Sequence, residues 1–232
     1  MRITIDNPET KNGLTWEGTE QLARAFEELQ ANDSIKVAVV TGNDQYFYTG
    51  GRVDPSVPGE QEKYAAAIAH YDSASRANKK PLISAVSGHC LKAGMGMIAK
   101  SDFAIACPDV EFGYPEVRMG GVPMVVLVDT VDTMPRKRML EALLTSWNFS
   151  AQDAYMMGLI NRIVPREKFD EEVEKYVRVF LDTPPELIEM TKRAYDELLK
   201  RQNKDDRADF ANRMLKEEVL PMMEKVKTQY NV

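Results

Sequence analysis

Apolar positions along this chain alternate between two spacings. Short runs of consecutive β-branched and aliphatic residues, RITID (2–6), KVAVVTG (36–42), PLISAVSG (81–88) and DFAIA (102–106), read as buried strands. Between them apolar residues recur every three or four positions. Leu22, Phe26 and Leu29 give one face to a helix from about Leu14 to Ala31, and a second helix runs from about Glu60 to Ala77. HCLKAGMGMIAKS (89–101) predicts a turn out of a strand into a helix, whereas YFYTGGRVDPSVPG (46–59), rich in Gly and Pro, predicts a loop. Strand, helix, strand in that order predicts an α/β fold of crossover units on parallel strands. No internal sequence repeat accompanies this architectural one.

Past Gly121 the pattern becomes helical, in PMVVLVDTV, PRKRMLEALLTS and SAQDAYMMG, with LINRIVP as a strand or extended link. In PPELIEMTKRAYDELLK the apolar Leu187, Met190, Ala194 and Leu198 share one face, and the Pro184-Pro185 pair marks a boundary. The expected organisation is a core over residues 1–165 and a helical region over 166–232 used in packing and oligomerisation, with no long low-complexity linker between them.

Composition narrows the class. With 232 residues, 44% of them hydrophobic, the chain can bury a core as one large domain or a domain with an appendage. A formal charge of -6 argues against nucleic acid as a partner, which needs a basic face. Cys90 and Cys107 are too few for a disulfide framework, and His70 and His89 complete no metal-ligand cluster. These counts predict a reducing, cytoplasmic location. MRITIDNPET lacks the apolar run of a signal peptide, and no run of about 18 apolar residues predicts a membrane span.

Two glycine-rich turns, YTGGR (48–52) and LKAGMG (91–96), follow predicted strands. Such turns expose backbone N–H groups to an anion, and two aimed at one oxygen make an oxyanion hole. Phosphate binding is a rival reading, but neither G-x-x-x-x-G-K-[ST] nor G-x-G-x-x-G is present. A third segment, EFGYPEVRMGG (111–121), sets the carboxylate of Glu116 among Gly, Tyr, Pro, Val and Met. It is either a solvated loop residue or an acid held out of water to move a proton. The remaining polar features read as structural. His89 and His70 have no triad partner motif, Asp102 fixes a turn, and Lys92 is a helix-start lysine. MPRKRM and KRQNKDDR are charged helix faces, and VLPMMEKV is packing.

Taken in order, NPETKNGLT, YFYTGGRVD, SAVSGHCLKAGMGMIAKSDFAIA, FGYPEVRMGG and SAQDAYMMGLINRIVP resemble the crotonase superfamily of enoyl-CoA hydratases and isomerases, from Asp6 to Pro165. The resemblance implies the crotonase-like (ClpP/crotonase) fold of repeated ββα units, with a helical C-terminal region that assembles a homotrimer or hexamer. It implies an acyl-CoA thioester substrate whose carbonyl oxygen lies between the backbone N–H groups of Gly51 and Ala93. Lys11, Asn12 and Gly13 fall beside the CoA portion, and Arg52 and Val53 along the acyl site. Glu116 falls on the catalytic acid/base, and no metal or redox cofactor is called for, coenzyme A being part of the substrate.

Departures from the family pattern sharpen the expectation. Gly96 stands where two-acid hydratases carry another glutamate, Lys92 replaces a small residue, and Arg52 and Val53 stand where an Asp is often near. One acid suffices to move a double bond from the 3,4 to the 2,3 position, so isomerisation is favoured over hydration. A CoA-thioester hydrolase or decarboxylase of the superfamily, and a non-catalytic CoA-binding assembly subunit, are the alternatives.

Overall fold

In a computed structural model, which describes residues 1–230, the strands are β1 (Arg2–Thr4), β2 (Ala38–Thr41), β3 (Tyr46–Tyr48), β4 (Leu82–Val86), β5 (His89–Leu91), β6 (Phe103–Ala106), β7 (Glu111–Gly113), β8 (Phe149–Ser150) and β9 (Arg162–Ile163). The helices are α1 (Trp16–Ala31), α2 (Glu60–Arg76), α3 (Ala93–Lys100), α4 (Met124–Thr130), α5 (Arg136–Thr145), α6 (Ala151–Met156), α7 (Arg166–Asp182), α8 (Pro185–Leu199), α9 (Lys204–Met214) and α10 (Leu220–Tyr230). A π-helical turn, Leu215–Val219, joins the last two.

One sheet has the order β1-β2-β4-β6-β9 and is parallel throughout, with Val40 opposite Ser84 and Ser84 opposite Ala104. β1, β2, β4 and β6 are those the apolar runs predict, and β9 takes the strand alternative read for LINRIVP. The second sheet, β3-β5-β7-β8, is parallel except for its last pair. It corrects the loop expected at 46–48 and the turn expected at 89–91, and adds strands at 111–113 and 149–150. These segments are two or three residues long, too short to show a period of two. Their pairing comes from the strand before each: β2, β4 and β6 turn directly into β3, β5 and β7, so each ββ corner feeds one strand to each sheet. At these corners backbone meets backbone. A Cβ on Gly42 would overlap the carbonyl oxygens of Tyr46 and Phe47, and one on Gly88 would overlap the Tyr46 amide nitrogen.

Helices cover the sheets with the faces their spacing predicts. Thr15 caps α1 by accepting from the Gly18 amide at 3.4 Å, and the helix buries Leu22, Ala23, Phe26 and Leu29. Phe26 meets Tyr71 of α2 edge to face, with centroids 5.8 Å apart. Ser150 and Asp153 form a reciprocal capping box at the start of α6. In the C-terminal region α7 buries Phe169 and Val173, and its Tyr176 and Phe180 flank the Phe103 ring at 5.3 and 5.5 Å. The apolar face of α8, with Leu187, Met190, Ala194 and Leu198, is half-buried. Among the described residues no helix is long and apolar enough to cross a membrane.

Candidate active site

The two glycine turns lie against each other. β3 ends at Tyr48, and the chain then turns through Gly50, whose φ of 93° is a conformation that favours glycine. Leu14 N–H donates to Gly50 O at 2.9 Å and Arg52 N–H to Leu14 O at 2.7 Å. Gly51 is held between these bonds, and its own N–H has no acceptor among the described residues. The second turn leaves β5 at Leu91. Lys92 takes φ 54°, unusual for a residue with a side chain, while its N–H donates to Gly113 O at 3.1 Å and its carbonyl accepts from Met95 N–H at 2.9 Å. Ala93 opens α3, so its N–H lacks an intrahelical partner. A Cβ on Gly50 would lie 2.9 Å from Lys92 Cβ and 3.4 Å from Ala93 N, so the turns touch only because residue 50 has no side chain. Gly94 is needed for the same reason, since a Cβ there would overlap Tyr48 O and sit 2.9 Å from Cys90 Sγ.

Tyr64 of α2 closes over the first turn, its hydroxyl lying where a Gly51 Cβ would be. Burial raises its pKa, opposed by the Thr19 and Tyr48 hydroxyls beside it.

The KNG segment is laced to the same turn. Thr49 Oγ1 donates to Lys11 O at 2.8 Å, and Arg52 lies across Gly13, where a Cβ would be 2.7 Å from Arg52 Cγ. Lys11 and Asn12 both take positive φ. The Asn12 side chain is buried and occupied: its Oδ1 accepts from Asn7 N at 2.8 Å and Asn43 Nδ2 at 3.2 Å, and its Nδ2 donates to Tyr46 O at 2.6 Å. Its work is to hold the loop, which leaves Lys11, with its ammonium 5.8 Å from the Tyr46 ring, as the residue of the three with a charge to offer. Arg52 and Val53 are exposed beside Gly51.

Glu116 follows β7 and begins a tight turn. Its carbonyl accepts from Met119 N at 3.0 Å and Gly121 N at 2.8 Å, and Gly120 closes the turn at φ 80°. Its Oε2 is buried without a hydrogen-bond partner, and so is the hydroxyl of Tyr114, two residues before it. Burial raises the Tyr114 pKa, opposed by the Thr130 hydroxyl of α4, whose Oγ1 donates to Val126 O at 3.0 Å. Buried unpaired polar atoms cost about 1–3 kcal/mol each, and a pair of them marks where a ligand's polar groups would fit. Burial raises the Glu116 pKa above the ordinary carboxylate value, opposed by a backbone hydrogen bond and by the Lys92 charge. A carboxyl held back from ionising in this way is better placed than a solvated one to give a proton as well as take it.

The residues read as structural are occupied structurally. His89 Nδ1 accepts from Glu111 N at 3.1 Å. His70 lies between Glu20 and Glu27, each at 2.9 Å. Asp102 Oδ2 accepts from Leu82 N at 2.8 Å and Lys192 Nζ at 2.7 Å. The sequence reading missed Tyr64, which only the fold brings to Gly51, and a charged cluster between α2, α3 and α4. A signal for that cluster was present: Lys100 and Asp129 each sit in an apolar helical run, the same signature that singled out Glu116.

A sequence model of the enoyl-CoA hydratase/isomerase family matches residues 1–227. The crystal structure of an enoyl-CoA hydratase from Mycobacterium smegmatis superimposes with a TM-score of 0.81 at 26% identity, covering 97% of this chain and 92% of that one. Its fold is the crotonase fold, and so is that of the human enoyl-CoA hydratase domain-containing protein 3, which superimposes with a TM-score of 0.82 at 21% identity, covering 97% of this chain and 93% of that one. Curated relatives include a mevalonyl-coenzyme A hydratase of Aspergillus fumigatus, 28% identical over 72% of this chain and 64% of its own length. A carnitinyl-CoA dehydratase of Salmonella typhi is 24% identical over 84% of this chain and 76% of its own.

Proposed function

The chain belongs to the enoyl-CoA hydratase/isomerase family, and from that premise we propose that it moves a proton on the acyl group of a CoA thioester through an enolate. Glu116 is the acid/base, and the N–H groups of Gly51 and Ala93 hold the thioester oxygen as it gains charge. The observation that supports this reading is the contact of the two glycine turns at Gly50 and Lys92, each turn leaving one backbone N–H, of Gly51 and of Ala93, without an acceptor among the described residues. Lys11 meets the CoA portion, with Asn12 and Gly13 shaping its loop, and Arg52 and Val53 border the acyl group.

With no side chain at Gly96, α3 itself supplies no acid. Shifting a 3-enoyl double bond to the 2 position needs none beyond Glu116, which removes a proton from the carbon next to the carbonyl and returns it two carbons further on. Addition or removal of water is the second reading, favoured by the hydratase and dehydratase names of the relatives. Both place negative charge on the thioester oxygen, as a dienolate in the double-bond shift and as a 3-hydroxy enolate in the addition of water. The exposed Val122, Met124, Val125, Val128 and Val131 also support association of copies of the chain through this strip.

The test is product analysis by mass spectrometry and NMR on 2-enoyl-CoA and 3-enoyl-CoA thioesters, for wild type and Glu116→Gln. The variant is expected to lose about 100-fold to 10,000-fold in kcat with thioester binding largely kept. A variant as active as wild type removes Glu116 from the chemistry and favours a CoA-binding subunit. Release of free thiol or carbon dioxide points to hydrolysis or decarboxylation.

A further inference from the structure

Ala93, Gly96 and Lys100 are spaced three and four apart, so they share one face of α3, with the candidate oxyanion donor at its top. At Gly96 this face meets α4. The nearest atoms to a Cβ built there are Asp129 Oδ2 at 3.8 Å and Val126 Cγ1 at 3.9 Å, both ordinary contact distances. A carboxylate from α4 therefore stands at the end of the space that a side chain on residue 96 would fill.

That carboxylate is held from several sides. Lys100 Nζ donates to Asp129 Oδ2, and Arg76 of α2 lies 3.9 Å from Oδ1. Lys100 also reaches Asp72 Oδ1 at 3.3 Å, and its ammonium sits 5.5 Å from the Tyr71 ring. The side chains of Lys100 and Asp129 are only 9% and 14% exposed. Ion pairs so withdrawn from water seldom repay their desolvation, and apolar residues of similar size usually serve stability as well or better. A charged cluster one to two turns below Ala93 thus asks for a role other than packing.

We infer that Asp129 is the second carboxylate of the acyl site, supplied by α4 across Gly96, and that it takes a proton from the water added to a 2-enoyl thioester. The inference rests on the reading of Glu116, Gly51 and Ala93 above. Water oxygen bonds to C3 as Asp129 accepts one water proton, and the C2–C3 π pair moves toward the carbonyl to give an enolate oxygen at Gly51 and Ala93. Protonated Glu116 then gives its proton to C2, the enolate pair forming the new C–H bond. The product is the 3-hydroxyacyl thioester. Asp129 is left protonated and Glu116 ionised, and a proton passed from one to the other through solvent resets the site. Glu116, with a buried unpartnered oxygen, and Asp129, against an ammonium, stand in the contrasting surroundings that divide acid from base. Lys100 is a positioning residue, aiming the carboxylate.

The experiment follows both reactions on four-carbon thioesters, water addition to the 2-enoyl and double-bond shift of the 3-enoyl, in wild type, Asp129→Asn, Glu116→Gln and Gly96→Glu/Asp129→Asn. The ratio of water addition to double-bond shift is expected to fall by about 100-fold in Asp129→Asn and to recover at least about 10-fold when Gly96→Glu restores a carboxylate from α3. Because Asp129→Asn leaves the buried Lys100 with Asp72 as its one remaining carboxylate partner among the described residues, Asp129→Asn/Lys100→Met is run beside it and should show the same fall in a folded protein. An unchanged ratio in these variants overturns the inference, as does a wild type that shifts the double bond in a Glu116-dependent way but adds no water; both leave the role of Glu116 standing. Turnover indifferent to Glu116→Gln overturns the underlying reading instead.

Discussion

The Tyr64 hydroxyl rests against the Cα of Gly51, in the place a Cβ at that position would take. Gly51→Ala must therefore push Tyr64 out of its half-buried site or move a turn that Leu14 holds on both sides at 2.9 and 2.7 Å. Overpacking of this kind costs about 1–3 kcal/mol. The expected outcome is a lower Tm and, on the proposed role of the Gly51 N–H, a larger loss of thioester turnover as that N–H is displaced with its turn. Gly51→Ala/Tyr64→Ala should recover part of both. Calorimetry and steady-state kinetics check this; an alanine at 51 that changes neither Tm nor kcat would show that the turn is not constrained by Tyr64.

Glu116 carries a prediction about stability that runs opposite to activity. Burial raises its pKa in the folded chain, so the fold binds this proton more tightly than the unfolded chain does. The stability this contributes is complete below the ordinary glutamate value and is lost as pH rises through the raised folded value. Once pH has passed that raised value, the wild type carries a buried charge whose Oε2 lacks a partner. Glu116→Gln should therefore match or exceed the wild type in Tm at pH 8 while losing activity, and lose that advantage at pH 4. Thermal melts of both proteins across this range decide it.

Asp102 ties the five-stranded sheet to the C-terminal helices. Its Oδ2 accepts from Leu82 N at 2.8 Å, at the start of β4, and from Lys192 Nζ at 2.7 Å on α8. Charged hydrogen bonds of this sort contribute about 1.5–3 kcal/mol when they are not fully solvated. Asp102→Ala should speed hydrogen exchange across α8 and at the Leu82 amide, with little change in α1 or α2. Uniform deprotection of the whole chain would show instead that Asp102 supports the fold globally.

How much of this was legible in the sequence depended on length and on partners. β2, β4 and β6 announce themselves because strands buried on both faces leave continuous apolar runs, and α1 because Leu22, Phe26 and Leu29 keep one face over about two turns. The second sheet does not, since His89–Leu91 and Glu111–Gly113 are strands only because a corner delivers them to neighbours. Both glycine turns could be placed after strands, but their contact depends on Gly50 meeting Lys92 across 42 positions, which no local pattern encodes. Glu116 stood out as an acid among apolar residues; Asp129 and Lys100 have the same signature, and their pairing across two helices is a property of the fold.

The clamp between α1 and α2 is a pH-sensitive element distant from this chemistry. His70 of α2 faces Glu20 through Nδ1 and Glu27 through Nε2, each at 2.9 Å, so both ring nitrogens meet carboxylates of α1. Hydrogen bonds to Glu27 and then Glu20 raise its pKa, with weak desolvation opposing. A histidine with a raised folded pKa stabilises the fold fully below its ordinary value of about 6.5, and that contribution disappears as pH climbs through the raised value. When the ring loses its proton it can donate to only one of the two glutamates, and the other carboxylate is left facing a lone pair. His70→Ala should therefore lower Tm more at pH 6 than at pH 9, and Glu20→Gln/Glu27→Gln should abolish the difference. Since the site is exposed, added salt should shrink the effect at pH 6. A Tm deficit in His70→Ala that is equal at both pH values would mean that the imidazole acts there by packing on α1, with its charge playing no part.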